Sequence, residues 1–419
     1  MQTHSNFRLL VVRLGAMGDI LHALPAVTAL RQTHPDWVID WVVEPHWRAL
    51  LAADLPAAQD AEKHVSGSAS CQGTTSVVPK IQKNERGVLR AAEKTDSGLQ
   101  ACQGTTSVVP KMQLNEHGAL APEAPDLAQP LVDHLHLAPT RNWRKAPFSR
   151  KTIHEINALR IAMKAAEYDA VLDLQGAIRS AVIARLASGK RLIGEAEPRE
   201  RAARWLFSER IPTHGTHVIE QDIELASAIA GDRLAPVPPL LSVDPAAEAW
   251  ADGILPPTGR PPSVLINPGA GWGAKRWPVE RYAAVAQSLI ASGCRILINV
   301  GPGEEPLAEV IVRQTGGAAT PLVCSLAQLI ALTRRVSLAI AGDTGPLHLA
   351  CALQRPVVGI YGPTDPSRNG PFGTHFIVLR SPESRRDHSR HQAPEAGLLT
   401  IQPDAVLRAA NALLYPETR

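Results

Sequence analysis

No apolar run in these 419 residues approaches the roughly 18 that a membrane-spanning helix needs. The opening stretch, MQTHSNFRLLVVRLG, has no long apolar core and no small-residue cleavage site, so it does not read as a signal peptide. The chain is therefore expected in the cytoplasm. Its five cysteines contain no CxxC pair and no metal-ligand spacing. Three lie in apolar surroundings, as small core residues. A formal charge of only +3 lacks the dominant basic field of a nucleic-acid binder. There is no GxGxxG followed by a ribose-binding acid, which argues against a nicotinamide enzyme. There is no GxxxxGK[ST] loop either.

What is present is an alternation of short apolar runs with helical patterns. One stretch is central. Val336–Ala341 is apolar and ends in Gly342-Asp343-Thr344-Gly345-Pro346; a short helix, Leu347–Leu353, follows; then comes Pro356–Ile360, ending in Tyr361-Gly362-Pro363-Thr364-Asp365. That is a βαβ unit whose two polar turns fall at the carboxyl ends of strands, where ligands of parallel sheets bind. The N–H groups opening the helix suit an anion. The plainer alternative is that Gly342, Gly345 and Pro346 only shape a turn.

A second junction of the same kind opens the chain. Arg8–Arg13 reads as a buried strand, Leu14–Asp19 as a glycine turn, and Ile20–Leu30 as a helix whose first turn Pro25 should make irregular. Asp19 at the helix start could be a simple cap. His22, one turn on, could share the Asp19 crevice, but reads first as a packed helix histidine. Trp37–Val43 and Tyr168–Leu174 are further strands, and Thr152–Glu167 is helical. Between them, CQGTTSVVPK occurs twice, at Cys71–Lys80 and Cys102–Lys111. Two copies do not make a solenoid. The surrounding composition cannot bury much, so about 56–130 is expected to be a disordered insertion. Arg141–Lys151 carries five basic residues and no acid, either a solvated loop or an anion site. Arg185–Arg210 is rich in arginine mixed with Glu, and much of it reads as solvated surface.

After a proline-rich linker from Pro236 to Pro262, a second series gives strands at Ser263–Asn267, Arg295–Val300, Pro321–Cys324, Ser337–Ala341, Val357–Ile360 and Phe376–Leu379. Helices lie between them, which predicts a parallel, doubly wound α/β sheet. The turn Asn267–Pro278 combines glycines with Lys275 and Arg276 ahead of a helix, a composition suited to phosphate. The expected domains are 1–240 and 241–395. A last helix, within 396–419, is placed to pack back on the first domain.

Several motifs, taken in order, resemble the bacterial lipopolysaccharide heptosyltransferases of glycosyltransferase family 9. They are Arg13–Pro25, Trp41–Glu44, the RNWRKAPFS run from Arg141, YDAVLDLQGAIRSA from Tyr168, Lys275–Pro278, and Gly342–Gly345 through Asp365. The RNWRK and YDAVLDLQG blocks look most like the type I enzymes.

The resemblance implies a GT-B fold, two Rossmann-like domains facing across a cleft. It implies ADP-L-glycero-D-manno-heptose as donor, a Kdo residue of lipid A as acceptor, and inversion at the anomeric carbon. Asp19 matches the general base, and Lys275 would balance charge on departing ADP. Donor-side residues would be Gly269, Gly271, Lys275, Glu304 or Glu305, Asp343, Thr344, Gly345 and His348. Acceptor-side residues would be Gly18, Arg141, Arg144, Lys145 and Gln175. No metal is implied as obligatory, although Mg2+ remains an option. A monomer, peripheral on the cytoplasmic face of the inner membrane, is implied, with no nucleic-acid partner. Where type I enzymes often carry hydroxyl residues, this chain has Pro268-Gly269-Ala270-Gly271, so phosphate contacts there would come from backbone. The alternatives are a type II enzyme, a related transferase with another acceptor or nucleotide sugar, and a non-catalytic nucleotide-sugar binder.

Overall fold

The computed structural model describes residues 6–52, 130–256, 261–387 and 391–416. The repeat-bearing segment lies outside the described residues, apart from its final Pro130. The first sheet contains β1 (Arg8–Val12), β2 (Val38–Val43), β3 (His134–Leu137), β4 (Ala170–Asp173), β5 (Arg191–Glu195) and β6 (Glu209–Ile211). All are parallel, in the order β3-β2-β1-β4-β5-β6. The second sheet contains β7 (Ser263–Asn267), β8 (Arg295–Asn299), β9 (Thr320–Leu322), β10 (Leu338–Gly342), β11 (Val357–Tyr361) and β12 (Phe376–Arg380). It is parallel too, in the order β12-β11-β10-β7-β8-β9. Helices cover both faces of each sheet, so the central strands are continuous apolar runs, such as Leu9 to Val12, fully buried. These are the two doubly wound α/β domains that the alternation predicts.

The strand order reverses between β1 and β4 in one sheet and between β7 and β10 in the other. A crevice opens at each such point, beyond the carboxyl ends of the strands. The loops after β1, β4, β7 and β10 therefore form the floor of any site.

Two expectations are corrected. Pro25 does not disturb the first helix: Met17–Thr33 is a single element with Pro25 inside it. An interior proline costs about 3 kcal/mol. Burial offsets that cost, because Met17 and every residue from Ile20 to Arg31 are buried. This helix is sandwiched between its sheet, the helix Val218–Ala230, and the helix Gly345–Ala352 of the second domain. Second, the last helix, Pro403–Leu414, does not return to the first domain. It packs on the helix Val279–Ala291 and on β10, β11 and β12, where Val406, Ala409 and Ala410 join the core of Ile298, Ile340 and Val358. Trp277 helps to hold this terminal segment, donating from Nε1 to the Ile401 carbonyl at 3.1 Å. The arginine-rich stretch keeps many residues exposed, while Leu192 and Ile193 of β5 are buried.

The passage between domains is short. Leu240 N–H donates to Thr28 Oγ1 at 3.2 Å and Ser242 Oγ to the Ala49 carbonyl at 2.6 Å, which pins the proline-rich stretch to the first domain. The helix Pro245–Ile254 then packs on Leu326–Thr333 of the second. Asp244 caps it by accepting from Ala246 N and Ala247 N.

Candidate active site at the domain junction

A cleft of about 700 Å³ lies between the domains, and residues of both line it. On the first wall, the loop after β1 places Arg13, and the start of the helix Met17–Thr33 places Gly18 and Asp19. Asp19 accepts from Ala16 N at 3.2 Å through Oδ2, and its Oδ1 stands 4.0 Å from an Arg13 guanidinium nitrogen. Arg13 Nε donates to the Asp19 carbonyl at 3.0 Å, so the two are held as a unit. The Asp19 side chain remains 29% exposed to the cleft. The loop after β4 adds Gln175, whose Oε1 accepts from Leu14 N at 2.8 Å and ties the two loops together.

Two further carboxyls on this wall are buried. Asp173 accepts from Gln175 N, Gly176 N and Ser180 Oγ, at 2.8, 2.9 and 3.1 Å. Burial outweighs those donors and pushes its carboxyl up to about 6. Asp222, on the helix Val218–Ala230, has a buried Oδ2 with no partner among the described residues. Burial is the main cause pushing Asp222 up to about 7; Arg13 opposes the shift and Asp19 adds to it.

On the second wall, the loop after β7 places Gly271, Trp272 and Lys275, and the loop after β10 places Asp343 and Thr344. Lys275 Nζ lies 4.3 Å from the centroid of the Trp272 ring, bonds one Asp343 oxygen, and reaches the Asp343 carbonyl at 3.4 Å. His348 Nε2 meets the other Asp343 oxygen at 3.2 Å. Burial alone would raise the Asp343 carboxyl, but the His348 hydrogen bond and the Lys275 charge outweigh it. They hold the carboxyl well below the usual carboxylate range. The helix Gly345–Ala352 starts here, with terminal N–H groups that its own ladder cannot use.

The cleft thus brings together Gly18, Asp19, Gln175, Gly271, Lys275, Asp343, Thr344, Gly345 and His348. It does not bring in Gly269, Glu304 or Glu305. Glu304 instead packs behind the β7 loop, where its carboxylate leaves no room for a Cβ on Gly269 and accepts from Gly301 N at 3.1 Å. Glu305 is exposed in the first turn of the next helix. Arg141, Arg144 and Lys145 lie exposed on a short helix, Thr140–Lys145, rather than in a loop. Buried Glu44 anchors that helix, accepting from Thr140 Oγ1 and, at 3.1 Å, from Arg141 N. The three do not line the cleft.

Sequence reasoning missed Asp173, Asp222 and the role of His22. Asp222 left a trace: it shares the apolar face of its helix with Ile219, Ile223 and Ala226, where an unpaired acid is out of place. Among the described residues no cluster of His, Cys, Asp and Glu could hold a metal. Chemically, the cleft sets a partly exposed carboxylate on one wall against a lysine and a helix terminus on the other. That pairing suits transfer of a group from an anionic leaving group.

The profile of Glycosyltransferase family 9 (heptosyltransferase) matches residues 156–398. The chain is 25% identical over 417 residues to lipopolysaccharide heptosyltransferase 1 of Escherichia coli K12, covering 97% of this chain and all of that one. A structure of the E. coli heptosyltransferase WaaC with ADP superposes with a TM-score of 0.66 at 24% identity, over 97% of this chain and 100% of that one. WaaC with ADP-2-deoxy-2-fluoro heptose gives 0.62 at 25%, over 96% and 98%. E. coli heptosyltransferase II, 18% identical, shares the fold with a TM-score of 0.64 over 99% and 100%.

Proposed function

This chain belongs to glycosyltransferase family 9, the heptosyltransferases, and we propose that it moves L-glycero-D-manno-heptose from ADP-heptose to a Kdo residue of lipid A, with inversion. The observation that carries the reading is the opposition of Asp19 to Lys275, Asp343 and the Gly345 helix start within one cleft. The full-length likeness to heptosyltransferase 1 supports the type I acceptor.

Asp19 takes the proton of the acceptor hydroxyl as that oxygen attacks the anomeric carbon. The bond from that carbon to the β-phosphate oxygen breaks on the opposite face, and ADP departs with the bonding pair. Lys275 and the N–H groups at Thr344 and Gly345 meet the negative charge that builds there. Asp343, locked between Lys275 and His348, accepts from sugar hydroxyls. Glu304 rather than Glu305 is the candidate for the adenosine ribose: it does not itself line the cleft but abuts the β7 loop that does, while Glu305 faces solvent. No metal is obligatory in this scheme.

Arg141, Arg144 and Lys145 serve the lipid side, meeting Kdo carboxylates or lipid phosphates from the rim. They belong to a basic stretch of the chain: residues 141–210 hold fifteen Lys and Arg against eight Asp and Glu, in a chain whose net charge is +3. Six of the ten exposed large apolar residues described, Phe148, Ile153, Ile161, Ile178, Val182 and Trp205, lie in the same stretch. Such a surface suits peripheral docking of a monomer on the cytoplasmic face of an anionic bilayer.

The deciding experiment gives the purified protein ADP-heptose with either Kdo-lipid A or the same acceptor already carrying one heptose, with and without a chelator, and reads ADP release and the acceptor mass. One added heptose in both conditions is expected. Transfer only to an acceptor already carrying a heptose overturns the type I assignment, and no transfer to either overturns the reaction.

A further inference from the structure

Three imidazoles crowd the junction beside the cleft. The ring centroids of His22 and His348 are 4.5 Å apart, and those of His22 and His217 are 5.5 Å apart, both pairs edge to face. All three are buried. His22 belongs to the helix Met17–Thr33 of the first domain and His348 to the helix Gly345–Ala352 of the second, yet His22 Nε2 lies 3.2 Å from His348 Nδ1.

The proton positions follow from what each neighbour can accept. An ionised Asp343 only accepts, so His348 Nε2, 3.2 Å from Asp343 Oδ1, carries a hydrogen. Nδ1 of a neutral His348 is then a lone pair, and His22 must donate to it from Nε2. His22 Nδ1 is left bare, and it is indeed a buried nitrogen without a partner among the described residues. His217 does not enter this chain. Its Nδ1 accepts from Ile219 N at 3.2 Å and its Nε2 donates to the Gly370 carbonyl at 3.1 Å. The result is a directed series, His22 to His348 to Asp343, that begins in one domain and ends in the other.

We propose that His22 is a positioning residue, reaching across the domain junction to set the tautomer of His348 and so the orientation of the Asp343 carboxylate. The opposite tautomer of His348 would turn a lone pair toward Asp343 Oδ1, and the two would repel. Only Lys275 would then hold the carboxylate. Burial first, and then the facing groups His348, His217 and Arg13, disfavour charging of His22, while facing Asp343 favours it; together they keep the ring neutral. The donor-side carboxylate is therefore assembled correctly only while the first domain is in place beside it.

The test uses the full-length protein and three variants: His22→Leu, His22→Asn and His22→Gln. A glutamine amide nitrogen sits near the place of Nε2 and retains the donor, whereas an asparagine is too short to reach His348. Long-range proton–nitrogen NMR of labelled histidines reads the His348 tautomer directly. The wild type and His22→Gln are expected to show a single Nε2–H form of the neutral ring. His22→Leu and His22→Asn are expected to show a mixture. In the transfer assay the same two should lose about tenfold in kcat with donor KM within about twofold, and His22→Gln should recover most of it. An unchanged His348 signal in His22→Asn, or equal impairment of His22→Gln and His22→Asn, overturns the proposal. Should His22→Leu not fold, the Asn and Gln pair still decides. Only the kinetic arm rests on the reaction proposed above; the NMR arm is read without substrate, so the two proposals fail separately.

Discussion

Gly18 and His348 claim the same space from opposite domains: a Cβ on Gly18 would stand 2.8 Å from Cδ2 of the His348 ring. The reciprocal contact is Gly345 of the second domain, where a Cβ would stand 2.6 Å from Met17 Sδ. Each helix start carries a glycine where the other domain comes closest. The two contacts put Asp19 and the Asp343 pair into one cleft.

Gly18→Ala separates this contact from local preference. In a helix, alanine is favoured over glycine by about 1 kcal/mol. The clash with His348 should reverse that benefit, lowering both the melting temperature and the transfer rate, the latter by about tenfold or more. A raised melting temperature with full activity would show that His348 moves aside freely.

Replacing Asp19 by Asn should cost about 10²–10⁴ in kcat, the usual weight of a general base. ADP binding, measured by calorimetry, should stay within about threefold, because the nucleotide is assigned to the other wall. Turnover near the wild-type rate would remove Asp19 from its role.

Lys275→Met leaves Asp343 buried with only His348 as a charge-stabilising side-chain partner. Breaking a buried pair on one side commonly costs about 3–5 kcal/mol, so denaturant unfolding should show a large loss. Lys275→Met with Asp343→Asn should recover much of it, while ADP binding stays weak in both. The pH sign follows from Asp343 being held below the ordinary carboxylate range. Its stabilising share is present above about pH 4 and is lost as pH falls through the folded value. Equal stability of the single and double variants would mean that the pair is not coupled.

Asp222 behaves in the opposite sense. Its folded carboxyl, pushed up to about 7, holds a proton that the unfolded chain releases near pH 4. Its neutral form favours folding most below about pH 4, and that contribution fades as pH rises through about 7. Asp222→Asn should accordingly be near neutral at about pH 4 and more stable than wild type at about pH 8, by a few kcal/mol at most. A pH-independent difference between the two proteins would contradict the buried, unpartnered assignment.

Docking on a bilayer predicts that the protein sediments with anionic vesicles and much less with neutral ones, and that salt releases it. Phe148→Ser combined with Trp205→Ala should weaken sedimentation several-fold without changing the melting temperature, since both side chains are exposed. Undiminished binding by that double variant would place the contact elsewhere.

Much of this was readable in the residues, and the exceptions have separate causes. Runs such as Leu9–Val12 and Val357–Tyr361 announce buried parallel strands because both faces are apolar. The glycine turns after β1, β7 and β10 announce the cleft because a tight βα turn leaves few other choices. The short strands β3, β5 and β6 hold three to five residues each, some of them charged, and give too little pattern to stand out. His22 looked like a packed histidine, and it is one. Its partner is 326 residues away, and no local pattern reports a neighbour from another domain. The terminal helix failed differently, for an amphipathic face says that something covers it, not which domain does.

Because that terminal helix stays with the second domain, the described chain passes between the two bodies only once, through the stretch that ends at Asp244. The enzyme is built like a hinged case with a single strap. A nick in that strap should yield two globules joined only by their matching faces, and a split pair of genes should be able to reconstitute the cleft.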